Sequence, residues 1–160
     1  MRPRTILVVE DGAEYTDAFR RLALPGRANV ELVRAGDADE AQRILAGRSV
    51  DAIFIDVVFD RTLPERLRGD LGCLLERYGG DRARAQRHLA SHQGFYVAEA
   101  LAGSIAEGTR VLLAFDFSAE PQRLAALRER LPGLEGVAEG TPISRVLDRL
   151  LAAAAISDSI

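Results

Sequence analysis

Lysine and tryptophan are absent from this chain, and cysteine occurs once. With Cys73 alone no internal disulfide can form, which fits a reducing compartment and sets the expectation of a cytoplasmic protein. No run of about 18 apolar residues occurs, so no membrane-spanning helix is expected. The apolar run Ile6-Leu7-Val8-Val9 follows Arg2-Pro3-Arg4 and is shorter than the roughly 7–15 residues of a secretory signal core. Acids come directly after it, and it reads as a strand. Positive charge is not in excess. The 21 basic residues, all arginine, face 24 acids for a formal net charge of −3. That excludes a dedicated nucleic-acid binder, which needs a concentrated positive field. A base-composition bias accounts most simply for the missing lysine, yet it also removes every flexible ammonium group from any site. The rest is ordinary for one globular domain with its own core, at 160 residues, 48% hydrophobic and 28% charged.

Short apolar runs alternate with helical periodicity. Thr5 to Val9 is a strand that stops at Glu10-Asp11-Gly12. Residues 13–24 place Tyr15, Phe19, Leu22 and Ala23 on one helical face, and Pro25-Gly26 ends the helix. Asn29 to Val33 is a second strand. Asp37 can cap a helix running to about Ala46, with Ala41, Ile44 and Leu45 inward. Val50 to Val58 is the most apolar strand. Arg110 to Phe115 is a fourth, followed by a helix capped by Ser118 with Leu124, Leu127 and Leu131 as its buried stripe. Leu134 to Ala138 is a weak fifth strand, and Thr141-Pro142 opens a last helix carrying Ile143, Val146, Leu147 and Leu150. Alternation of this kind implies an α/β domain, a five-stranded parallel sheet doubly wound by helices. The domain is expected to span 1–155, with 156–160 a frayed tail. Residues 60–92 break the rhythm, and a structureless loop of that length is uncommon in a compact domain. Two short helices, about 70–78 and 81–91, are expected there as an insertion.

In such sheets sites lie at the carboxyl ends of the strands, where Glu10, Asp11 and Asp56 stand. Three carboxylates brought together repel unless a cation neutralises them. Hard oxygen ligands with no soft partner suit Mg²⁺, and a carboxylate beside it can attack a phosphoryl group. The plain alternative is that each acid caps the following helix.

Ile6-Leu7-Val8-Val9-Glu10-Asp11 resembles the first strand and acidic pair of response-regulator receiver domains. Asp51-Ala52-Ile53-Phe54-Ile55-Asp56 resembles their third strand, ending in the phosphate acceptor. Asp11 and Asp56 stand 45 residues apart, the spacing that family requires. Gly94-Phe95-Tyr96-Val97 is similar to the opening of the family's third helix. The likeness covers the chain except about 60–92. It implies a flavodoxin-like sheet of order 2-1-3-4-5 and a non-enzymatic signalling module in a phosphorelay. By position, it makes Asp56 the acceptor, has Glu10 and Asp11 bind Mg²⁺ directly or through water, and makes the Val58 carbonyl a backbone metal ligand. Phosphate would come from a histidine kinase or a small phosphodonor.

The second half departs from that pattern. The family places Thr or Ser at the end of the fourth strand, where this chain has Ala114 or Phe115, which donate no hydrogen bond. It places Lys before Pro after the fifth strand, where the available pair is Thr141-Pro142. Asp60 replaces a usual Pro. Arg61, Arg66 and Arg68 are candidate substitutes for the missing cation, although a guanidinium fork is not an ammonium. Two readings stay open: a receiver that accepts phosphate and signals by protein contact, or a pseudo-receiver that binds partners without phosphorylation. A small flavodoxin-like enzyme is the rival from another class. It needs a glycine- and hydroxyl-rich loop after the first strand, where this chain has Glu10-Asp11-Gly12-Ala13-Glu14.

His88 and His92 are spaced to share a helical face, with Cys73 as a possible third ligand. Metal sites of that type need three or four converging ligands, and solvated histidines are the simpler reading. Arg82, Arg84 and Arg87 read first as a solvated helix face and second as a partner surface. Leu71, Leu74, Leu75 and Tyr78 in the insertion are the expected contact for a downstream protein or a homodimer.

Overall fold

The computed structural model describes residues 2–152; the expected frayed tail and the last residues of the expected domain lie outside them. Five parallel strands form one sheet of order β2-β1-β3-β4-β5, the doubly wound flavodoxin-like topology. They are β1 (Arg4–Val9), β2 (Val30–Ala35), β3 (Ala52–Ile55), β4 (Arg110–Leu113) and β5 (Leu134–Gly136). The helices are α1 (Glu14–Ala18), continued by a π-helical turn over Phe19–Ala23, α2 (Ala38–Gly47), α3 (Leu71–Arg77), α4 (Arg82–Ser91), α5 (Gln93–Leu101), α6 (Pro121–Arg130) and α7 (Ile143–Leu151).

Strand parity divides the core. Leu7, Val9, Ile53, Ile55, Val111 and Leu113 face α2, α5 and α6. Ile6, Val8, Ala52, Phe54 and Leu112 face the opposite side, packed against Phe19, Val146, Leu147 and Leu150 of α1 and α7. A strand buried on both faces reads as a continuous apolar run, which is why β1 and β3 stand out in the sequence.

Several boundaries differ from expectation. β3 ends at Ile55, before Asp56, and β2 begins after Asn29, whose φ of 66° is incompatible with a strand. β4 stops at Leu113 because Phe115 and Phe117 turn into an aromatic group with Phe95. Leu22 is 67% exposed rather than inward. The i→i+5 bond from Leu24 N–H to the Phe19 carbonyl (2.9 Å) widens that turn, keeping Phe19 and Ala23 inward and swinging Leu22 out. Asp116, not Ser118, caps the turn before α6, accepting from Ser118 N–H at 2.9 Å.

The insertion folds as a helical hairpin, α3 and α4, close to the expected bounds. Asp70 and Asp81 cap its helices by accepting from Cys73 and Arg84 N–H. Leu74, Ala85 and Leu89 are buried between them, flanked by Leu67, Leu71, Leu75, Tyr78 and Tyr96. The expected partner surface of Leu71, Leu74, Leu75 and Tyr78 is therefore largely spent on the hairpin's own core, since two short helices need a buried face to pair at all. Gln93, 2% exposed, ties the hairpin to the approach loop. Its amide donates to the Arg68 carbonyl (3.0 Å) and the Leu89 carbonyl (3.1 Å), and its oxygen accepts from Arg68 N–H (2.7 Å).

Candidate functional site

The register levels the carboxyl ends of the strands. Val9 pairs with Ala35 and Ile55, Ile55 with Leu113, and Leu113 with Gly136. The next backbone bonds continue that row: Glu10 N–H to the Ala35 carbonyl (3.0 Å), and Asp56 to Val9, Ala114 to Ile55 and Val137 to Leu113 (each 2.9 Å). Glu10, Asp56, Ala114 and Val137 therefore stand side by side. By parity their side chains share the α1/α7 face with Val8, Phe54 and Leu112.

Asp56 sits in this row with its Oδ1 accepting from Val57 N–H at 2.8 Å. Burial pushes its carboxyl from the ordinary 3.8 up to about 6. The charges of Glu10 and Asp11 add to the rise, and the Val57 and Val58 N–H groups oppose it. Glu10 is 1% exposed. One oxygen accepts from Tyr15 N–H (3.0 Å), the other from Thr16 N–H and the Thr16 hydroxyl (2.7 Å each). It thus closes the N-terminus of α1, where Ala13 offers no side-chain cap.

Asp11 takes a different partner. Its Oδ2 accepts from Arg61 N–H (2.6 Å) and the Thr62 hydroxyl (3.4 Å), pinning the loop after β3. Above Gly12, the Arg61 guanidinium pairs with Glu14, and a Cβ at Gly12 would lie 2.1 Å from both side chains. Val58 is 47% exposed, and its carbonyl accepts no hydrogen bond among the described residues. No three His, Cys, Asp or Glu side chains among the described residues converge closely enough to hold a metal ion by themselves. Asp11, Asp56 and the Val58 carbonyl are nonetheless hard oxygen donors, and Mg²⁺ takes one or two carboxylates and fills its sphere with water.

Register settles the fourth-strand ambiguity: Ala114 lies opposite Asp56, while Phe115 points away, edge-on to Phe95 with ring centres 4.9 Å apart. Thr141-Pro142 does not end the fifth strand. Pro142 stands at the N-terminus of α7, and the strand-end place beside Ala114 is filled by Val137, 5% exposed. Of the candidate arginines only Arg61 borders the acids. Arg66 pairs with Asp37 (3.1 Å), and Arg68 with Asp39 and Gln42, so both clamp the loop to the start of α2.

Gly94 shows how closely α5 meets the chain leaving β3. A Cβ there would lie 2.3 Å from the Asp56 carbonyl oxygen and 2.7 Å from Val57 Cα. Gly94 N–H donates to the Val57 carbonyl (3.0 Å) and Phe59 N–H to the Ala90 carbonyl (2.8 Å), so the end of α4 and the start of α5 rest on the chain leaving Asp56.

His88 and His92 stack with ring centres 4.1 Å apart. His92 Nδ1 donates to the His88 carbonyl (2.9 Å), and His88 Nδ1 meets the Tyr78 hydroxyl (2.9 Å). They line a cavity of about 190 Å³ with Phe95, Arg123 and Leu127, to which Cys73 does not contribute. Two residues that matter at the site escape sequence reading. Thr16 bonds Glu10 from six positions on, outside any local capping pattern, and Tyr15 reads only as one more apolar helix position.

No protein-family model and no curated protein sequence matches the chain. Solved structures match its fold. The receiver domain of the Francisella response regulator 1452 aligns with a TM-score of 0.54 at 14% identity, over 92% of this chain and 93% of that one. The receiver domain of NtrX from Brucella abortus aligns at 0.55 and 15% identity, over 91% and 97%. A Burkholderia pseudomallei response regulator, solved with a phosphorylated aspartic acid, calcium ion and citrate, aligns at 0.54 and 15%, over 92% and 66%. The chain has the fold of response-regulator receiver domains.

Proposed function

We propose that this chain is a receiver module of two-component signalling that accepts a phosphoryl group on Asp56 and acts by protein contact. The observation that carries the reading is the half-buried Asp56 carboxylate, level with Glu10 and bordered by Asp11, on the receiver fold. In the reaction, an Asp56 oxygen attacks phosphorus of a histidine kinase or small phosphodonor. The new bond is an acyl phosphate, and the donor's bond to phosphorus breaks with its electron pair staying on the donor. Asp11, Asp56 and the Val58 carbonyl would hold Mg²⁺, with Glu10 reaching it through water. The ion supplies positive charge to offset the transferring oxygens. Asp56 must be deprotonated to attack, and the positive charge of bound Mg²⁺ would favour that form against the burial and the neighbouring carboxylates that raise its pKa in the metal-free protein. Downstream contact through 60–92 would use the exposed Arg82, Arg84 and Arg87 of α4 rather than the leucines.

Incubation with Mg²⁺ and acetyl phosphate followed by intact-mass measurement tests this. A gain of one phosphoryl group, abolished in Asp56→Asn, is the expected result. A second reading, a pseudo-receiver acting without phosphate, draws on Ala114 beside Asp56 and Val137 beyond it, strand-end positions that carry neither hydroxyl nor cation. Absence of both the mass gain and Mg²⁺ binding would select it.

A further inference from the structure

A phosphoryl group on Asp56 presents anionic oxygens that need strong hydrogen-bond donors. Along the row of strand ends its neighbours are the Glu10 carboxylate and the Ala114 methyl group, with Val137 one strand further on. We propose that Tyr15 supplies the missing side-chain donor, its hydroxyl bonding a phosphoryl oxygen carried by Asp56. This rests on the phosphoacceptor reading above.

The placement follows from strand parity and one ring contact. Phe54 and Asp56 are alternate residues leaving β3 on the same face, so their side chains are adjacent along the strand. The Tyr15 ring packs on Phe54 with centres 4.7 Å apart, within the group of side chains that also holds Ala114 and Val137. Glu10 fixes the start of α1 by accepting from Tyr15 N–H at 3.0 Å, so the ring is positioned by the acid beside the acceptor. The hydroxyl itself makes no hydrogen bond among the described residues and is free to donate. After burial, the Asp56 charge is the leading influence raising the phenol's pKa, ahead of Glu10 and Glu139, in keeping with proximity to the acceptor. A phenol stays neutral and adds no charge to the acids, while contributing an O–H that Ala114 lacks.

The test compares phosphorylation by acetyl phosphate with Mg²⁺, followed by intact mass over time, in wild type, Tyr15→Phe, and Tyr15→Phe combined with Ala114→Thr. Thermal unfolding verifies that each variant is folded. Loss of a hydrogen bond to a charged group should slow formation of the phosphorylated protein by about tenfold or more in Tyr15→Phe. The added threonine, opposite Asp56 on the same face, should restore much of the rate. Equal rates in wild type and Tyr15→Phe overturn this inference and leave the acceptor reading intact. A slowing that Ala114→Thr does not correct assigns Tyr15 to packing alone and also overturns it. No mass gain in wild type overturns both.

Discussion

Replacing Asp56 with Asn should stabilise the metal-free protein above about pH 6, and progressively less as pH falls below it. The folded carboxyl is raised from 3.8 to about 6, so the native state holds a proton that the unfolded chain releases between those values. Stability therefore rises as pH falls from about 6 toward 3.8, and the full penalty of the buried charge applies above 6. Fully expressed, that shift corresponds to ~3 kcal/mol. Asp56 is only partly shielded from water, which screens its neighbours' charges, so roughly 1–2 kcal/mol is the expected gain. Asn keeps the oxygen that accepts from Val57 N–H and removes the charge. Urea unfolding at pH 7.5 and pH 5 measures the difference. The variant should be the more stable at pH 7.5, and the gap should shrink toward pH 5 as wild type takes up its proton. Adding Mg²⁺ at pH 7.5 should raise the wild-type midpoint and leave the variant's unchanged. A gain of equal size at both pH values, or a loss at pH 7.5, would refute the reasoning that burial and like charge strain this carboxylate.

Gly94→Ala should destabilise by about 2–3 kcal/mol in urea unfolding, because the new methyl group meets backbone atoms that have no rotamer to yield. Gln93→Leu strands the Arg68 N–H and carbonyl, for roughly 2–4 kcal/mol and faster amide exchange over 64–69. Arg61→Ala should leave the melting temperature nearly unchanged, since its pair with Glu14 is exposed on both sides and the bond to Asp11 comes from the backbone. In NMR spectra the Arg61 amide should be among the first to shift on Mg²⁺ titration, since the ion competes for the Asp11 oxygen that it bonds.

Strand identity was legible wherever burial on both faces wrote a continuous apolar run, as in Ile6 to Val9 and Ile53 to Ile55. The two helices of the insertion are legible in the sequence from the length and spacing of residues 60–92, while their caps at Asp70 and Asp81 emerge only in the structure. Strand ends were not, because their limits depend on where side chains such as Phe115 turn to find aromatic neighbours. The π-helical turn was hidden because Leu22 fits a 3.6-residue stripe as well as Phe19 does. The insertion's leucines looked like an exposed contact because sequence gives hydrophobicity without saying which surface covers it. The acids were found by position, but their partners were not. The closure of Glu10 onto Thr16 and of Asp11 onto Arg61 depends on how two loops meet in space.

The bond from Phe59 N–H to the Ala90 carbonyl makes the insertion a detour whose exit and re-entry share one doorway. The chain leaves the sheet after Ile55, passes Phe59, builds a two-helix annex with its own small core, and returns to Phe59 at Ala90. A bypass joining the two sides of that doorway would close only a short loop, but it would also remove the partners of the buried Gln93 and the Arg61 amide that holds Asp11. The annex is thus hinged at one point, and a load placed on it would bear on a threshold three residues from Asp56.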